Sequence, residues 1–85
     1  MSTFRVFVRI TPRQGILDPQ GKAVTGALHS LGFGGVQDVK VGRYVVVETE
    51  ADDADQAQEA VRSMCERLLA NPVIEDFEIE PAEPR

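Results

Sequence analysis

Two residues here have side chains that do covalent or acid-base chemistry in other proteins, Cys65 and His29, and each is the only one of its type. A nucleophilic cysteine needs an exposed thiolate with a base beside it. Cys65 instead follows Met64 on an apolar stripe, where a free thiol serves as a small core residue. A histidine acting as general acid or base needs a titratable neighbour, and nothing at helical spacing from His29 supplies one. One Cys and one His make neither a metal set of the Cys/His type nor an internal disulfide. Gly32, Gly34 and Gly35 close a helix before a strand, whereas a dinucleotide loop opens a helix after one. Arg5, Arg9, Arg13, Lys40 and Arg43 could gather into an anion-binding edge or stand as solvated charges on strand surfaces. Glu75 is either an interface acceptor or the half-exposed start of a strand. No catalytic constellation is present.

The elements that position these residues are legible from periodicity and caps. Phe4, Val6, Val8 and Ile10 alternate with Arg5, Phe7 and Arg9, which predicts a half-buried strand. Thr11 to Leu17 contains Pro12 and Gly15 and reads as a loop, with Ile16 and Leu17 folding under the next helix as a hydrophobic staple. That helix begins at Pro19: Asp18 can accept from first-turn amides, and proline suits the first helical position. Val24, Ala27, Leu28 and Leu31 recur at helical spacing, and Gly32 can take the left-handed conformation that ends a helix. Val36 to Val41 reads as a short strand and Gly42-Arg43 as a hairpin turn into a strand from Tyr44 to Glu50. In that strand Tyr44 and Val46 share one face and Val45 and Val47 the other, so burial on both faces is expected. Asp53 with Gln56 caps a second helix, whose buried stripe is Ala57, Val61, Met64, Cys65 and Leu68 and which ends at Asn71-Pro72. Val73 to Glu80 closes the pattern as a strand on which Glu75 shares a face with Val73, Phe77 and Ile79.

The order β-α-β-β-α-β predicts an α+β fold of the split-βαβ, ferredoxin-like plan: a four-stranded antiparallel sheet with both helices on one face. It forms one domain over residues 1–80, with 81–85 a polar, frayed tail. Phe7 and Val46 fall on the uncovered sheet face and mark it for self-association.

At 85 residues the chain buries about 60 to 65% of its unfolded surface, so its stability alone is modest and an oligomer would help it. Nine Lys and Arg against 14 Asp and Glu give a formal charge of −5, which disfavours nucleic acid because that affinity rests on cations neutralising phosphates. No apolar run reaches the roughly 20 residues of a membrane helix, and the N-terminus lacks the apolar core of a signal peptide. A cytoplasmic location is expected.

L-D-P-Q-G at 17 to 21, A-L-H-S at 27 to 30, V-Q-D-V-K-V-G-R-Y at 36 to 44, M-C-E-R-L-L-A-N at 64 to 71 and V-I-E-D-F at 73 to 77 resemble PurS, the small subunit of bacterial and archaeal phosphoribosylformylglycinamidine (FGAM) synthase. The resemblance implies a place in purine biosynthesis, in a ligase where a glutaminase subunit (PurQ) frees ammonia and an ATP- and magnesium-using synthetase subunit (PurL) transfers it. It also implies a non-catalytic homodimer that binds no cofactor, bridges the two partners and assists ammonia transfer. Asp18, Pro19, Gln20 and Gly21, with Arg43, Tyr44 and Glu75, are the expected partner surface. Gly21 is notable because glycine inside the first turn of a helix costs about 0.5 to 1 kcal/mol relative to alanine. Either another chain approaches there or the residue relieves a clash with this chain's own sheet. The competing function is a dimeric regulatory domain of the same fold that senses a small molecule.

Overall fold

The strongest alternation in the sequence builds the centre of the molecule. In a computed structural model describing Met1–Arg85, strand β1 runs over Ser2–Pro12, longer at both ends than the alternating core suggested. Helix α1 follows at Pro19–Ser30, β2 at Arg43–Ala51, α2 at Ala54–Met64 with a π-helical turn at Cys65–Leu69, β3 at Glu75–Ile79 and β4 at Glu83–Pro84. Every other strand pairs with β1, antiparallel: β2 along one edge, β3 and then β4 along the other. Phe4, Val6, Val8 and Ile10 all point one way and are buried against Ala57, Val61 and Cys65 of the second helix. The fold is α+β, a four-stranded antiparallel sheet with two helices.

Local signals work as read. Asp53 Oδ1 accepts from the Gln56 N–H at 2.8 Å and starts α2. At the end of α1, Gly32 takes φ +99°, and the N–H groups of Gly32 and Phe33 return to the carbonyls of His29 and Leu28 at 3.0 and 2.9 Å. These are the paired bonds of a Schellman stop.

Non-local arrangement differs from expectation in several places. Val36 to Val41 is not a strand and Gly42-Arg43 is not a hairpin turn, because the segment runs back along α1 and hands its amide at Val41 to Asp18 Oδ2 at 2.8 Å. Gly42 lies so close to β1 that a Cβ there would sit 2.3 Å from the Ile10 carbonyl oxygen, and β2 then pairs directly with β1. The fourth strand is Glu83–Pro84, so the C-terminal residues are not frayed: the Arg85 N–H donates to the Thr3 carbonyl at 3.0 Å and that of Ala82 to Gln58 Oε1 at 3.3 Å. Of the two helices only α2 lies on the sheet; in α1 only Gly21 is buried. Ile16 and Leu17 are exposed and form no staple. Likewise β2 is covered on one face only, with Val45 and Val47 against the core and Tyr44 and Val46 exposed. Val73 and Ile74 belong to the turn before β3, which starts at Glu75.

The second helix departs from its stripe at one point. The Ala70 N–H bonds the Cys65 carbonyl, five residues back, at 3.1 Å, which inserts one residue into the helical turn. Leu68 is thereby rotated out to 82% exposure, and Leu69 and Ala70 take the core positions. Leu69→Ala should therefore destabilise the protein by about 1 to 2 kcal/mol, and Leu68→Ala by no more than about 0.5 kcal/mol. Urea unfolding of the two variants tests this, and the opposite ranking would refute the register.

Candidate functional site

α1 and the segment after it form an arm whose base holds most of the residues singled out by sequence. Asp18 ties that base together. Its Oδ1 accepts from the Gly21 N–H at 3.1 Å, capping the helix, and its Oδ2 takes the Val41 N–H. The returning chain passes so close that a Cβ on Gly21 would lie 1.9 Å from the Val39 carbonyl oxygen. Gly21 thus has a reason inside its own chain, though the close neighbour is the returning segment and not the sheet. At the outer end of the arm, His29 Nε2 donates to the Val36 carbonyl at 2.7 Å. Pro19 and Gln20 are exposed at the base.

Where the arm rejoins the sheet, Arg43 and Tyr44 part company because strand neighbours face opposite ways. Arg43 faces the α2 side and bonds Glu75 Oε1 at 2.6 Å. The same oxygen accepts the Asn71 N–H at 2.8 Å, so Glu75 closes the turn between helix and strand while anchoring the start of β2. The odd parity of Glu75 is explained: its inward position at the end of the sheet is filled by an ion pair.

Tyr44 lies on the opposite face, its ring stacked on Phe7 with centroids 5.9 Å apart, and Val46 stands directly across from Phe7 in the ladder. Around these three apolar residues run ion pairs of Arg5 and Arg85 with Glu48 and of Arg9 with Glu78 and Glu80, at 2.9 to 3.4 Å. An apolar centre with a charged rim is the anatomy of a protein interface. Arg5, Arg9, Arg13 and Arg43 each meet a carboxylate of their own chain, so they do not gather into an anion-binding edge. The rim pairs were not legible from sequence, since each joins residues far apart in the chain. Cys65 is buried, and burial pushes its thiol up from the usual value.

The family model described as PurS, phosphoribosylformylglycinamidine (FGAM) synthase, matches residues 5–83. The chain belongs to the PurS family. It is 45% identical over 80 residues to the phosphoribosylformylglycinamidine synthase subunit PurS of Bacillus subtilis, covering 94% of each chain. Its fold superposes on a crystal structure of B. subtilis PurS with a TM-score of 0.80, over 94% of this chain and 98% of that one. A chain in the structure of PurLQS from Thermotoga maritima, 30% identical, matches with a TM-score of 0.85 over 95% of this chain and 99% of that one. The PurS resemblance carried by the five sequence blocks is thus correct, and the chain is a PurS subunit of FGAM synthase. The sensing alternative is not favoured.

In this PurS chain two carboxylates set the acid behaviour. N–H groups of Val41 and Gly21 hold Asp18 below its ordinary value of 3.8. The Asn71 N–H, helped by Arg43, holds Glu75 below 4.5. Folding then favours the ionised forms, so their contribution is complete above those ordinary values and is lost as pH falls through the lowered ones. Urea unfolding from about pH 6 down to pH 2 should show stability falling in that acid window. Glu75→Gln should be less stable at neutral pH but lose less on acidification, and an unchanged acid slope would refute the assignment. Gly21→Ala should lower the melting temperature by a few degrees despite the gain in helix propensity; an unchanged or raised value would show that the approach of Val39 is not a constraint.

Proposed function

We propose that this chain acts in the cytoplasm as a non-catalytic, dimeric bridge within FGAM synthase, joining the glutaminase (PurQ) and synthetase (PurL) subunits and assisting ammonia transfer. The similarity to a chain of the T. maritima PurLQS assembly carries this reading. In this proposal ATP and magnesium belong to the synthetase and the chain binds no cofactor of its own. Ammonia released into bulk water would be protonated and lost, so a module that holds two active sites in register raises flux through geometry.

The side chains support a structural role. Cys65 is enclosed in the core with its thiol pushed away from the thiolate, and His29 is occupied in closing the arm. The groove beside His29, lined by Lys22, Thr25, Gly26, Gln37 and Asp38, holds no apolar residue, unlike the largely apolar sites that small molecules occupy. In this proposal Phe7 and Val46 serve self-association, and the base of the arm at Asp18 to Gly21, with Arg43, Tyr44 and Glu75, is the surface offered to the other subunits.

Reconstitution with the two partner subunits tests this. Cys65→Ala and His29→Ala should leave glutamine-dependent synthesis of FGAM within a few-fold of wild type, because acid-base or nucleophilic roles contribute about a hundredfold or more. Val46→Asp should leave the isolated chain folded while weakening assembly. A hundredfold loss of rate with assembly intact would overturn the non-catalytic reading.

A further inference from the structure

The two edges of β1 are closed by different means. β2 covers one of them from Ser2 to Ile10. On the other, β3 pairs with Val8 to Pro12, which leaves the stretch before Val8 to the short strand β4, where Phe4 and Arg5 stand across from Pro84 and Glu83. β4 is not a simple continuation of β3. Val8 faces Ile79 and Arg5 faces Glu83, so three steps along β1 are matched by four on the other side, and the extra residue is taken up as in a β-bulge.

Specific contacts hold β4 in this shifted place. Ala82 packs against the core, and its N–H donates to Gln58 Oε1 of α2 at 3.3 Å. The Arg85 N–H donates to the Thr3 carbonyl at 3.0 Å, and the Arg85 guanidinium crosses β1 to reach Glu48 Oε2 on β2 at 2.9 Å. The main-chain bond also fixes which way the backbone of β4 faces. Because backbone direction alternates along a strand, Thr3 and Arg5 aim their groups at β4, while Pro84, between Glu83 and Arg85, aims its own away from β1. The residue whose N–H would stand on the outer edge is thus a proline, which has none, and the finished edge is blunt there.

We propose that Pro81 to Arg85 act as a strap that closes this edge of β1, and that a copy whose strap is lifted pairs through the same edge with a second copy. What the strap covers is a strong template. Thr3 to Val8 is a run of β-branched and aromatic residues interrupted only by Arg5, and an unpaired edge of that composition recruits other strands. An antiparallel pair centred on Phe4 sets Thr3 of one copy against Arg5 of the other. Both residues aim their backbone groups at the open edge, and no like charges meet across the pair.

Ala82→Asp/Arg85→Pro in the full chain tests this. It sets a carboxylate against the core and removes both the main-chain bond to Thr3 and the ion pair to Glu48; Arg85→Pro alone takes its place if circular dichroism shows the pair unfolded. Hydrogen exchange of the Arg5 amide, which stands across from Glu83, should speed up about tenfold or more over wild type. Sedimentation velocity should then show species larger than wild type, with a share that grows with concentration. Adding Thr3→Pro takes an N–H from the open edge and should return the variant to the size of wild type. Thr3→Lys serves instead if the proline does not fold, since a charge also guards an edge. Unchanged Arg5 exchange would overturn the hold assigned to Ala82 and Arg85. Fast exchange at wild-type size, or larger species that persist with Thr3 blocked, would overturn the guarding of the edge.

Discussion

Everything in this protein hangs on one strand. β1 accepts β2 on one edge and both C-terminal strands on the other, and its inward side chains Phe4, Val6, Val8 and Ile10 make up nearly half of the nine-residue buried core. Central position and strict alternation are linked. A strand paired on both edges has no backbone group left to satisfy elsewhere, so it can be buried on one face with only its side chains deciding which. A polar residue at Val6 or Val8 would strike the ladder, the helix packing and the seat of α2 together. The Arg residues between them face the other way and find carboxylates across the ladder, which keeps the uncovered face soluble around Phe7 without burying it.

The body built on that strand is small. Nine buried apolar residues in an 85-residue chain are few, because about a third of the residues, from Gly15 to Gly42, stand outside it. An isolated helix of 12 residues is marginal in water. The arm is held by hydrogen bonds at its base and tip, Asp18 to Val41 and His29 to Val36, and not by a packed core of its own. Such bonds fix the arm's internal geometry, but their net contribution is about 1 kcal/mol each. Val24, Leu31 and Phe33 accordingly stay exposed along the arm.

What the sequence revealed and what it hid divide along chain separation. Caps are local: the cap bonds at Asp18, Asp53 and Gly32 each span three residues, and each was legible. The alternation of β1 was legible because all its information lies in the consecutive residues Phe4 to Ile10. Val36 to Val41 alternates only at Val39 and Val41, with Gln37 and Asp38 breaking the period after Val36, and it pairs with no strand, so a pattern this short could not decide its element. Leu68 and Leu69 show the finer limit, since a helix of period 3.6 selects the first and the inserted residue of the π-turn selects the second. Neighbouring leucines leave both registers open until packing against the core chooses. The site divides in the same way. Phe7 and Val46 were found by parity, whereas the partnership of Glu75 with Arg43 spans 32 residues and left only an odd parity in the sequence.

That odd parity ties fold to function. Glu75 sits where a core position would be, half-buried at the end of the sheet, and it fixes in one place the turn after α2 and the start of β2, where the arm rejoins the sheet. An apolar residue there would pack acceptably but could not hold the Asn71 N–H and Arg43 at once, and a donor left bare there costs more than the bond was worth. Under the bridging role proposed above, an arm free to pivot at its root would spread the positions of whatever it touches. The ion pair at Arg43 and the amide clasp at Asp18 restrict that pivot from the two strands of chain entering and leaving the arm.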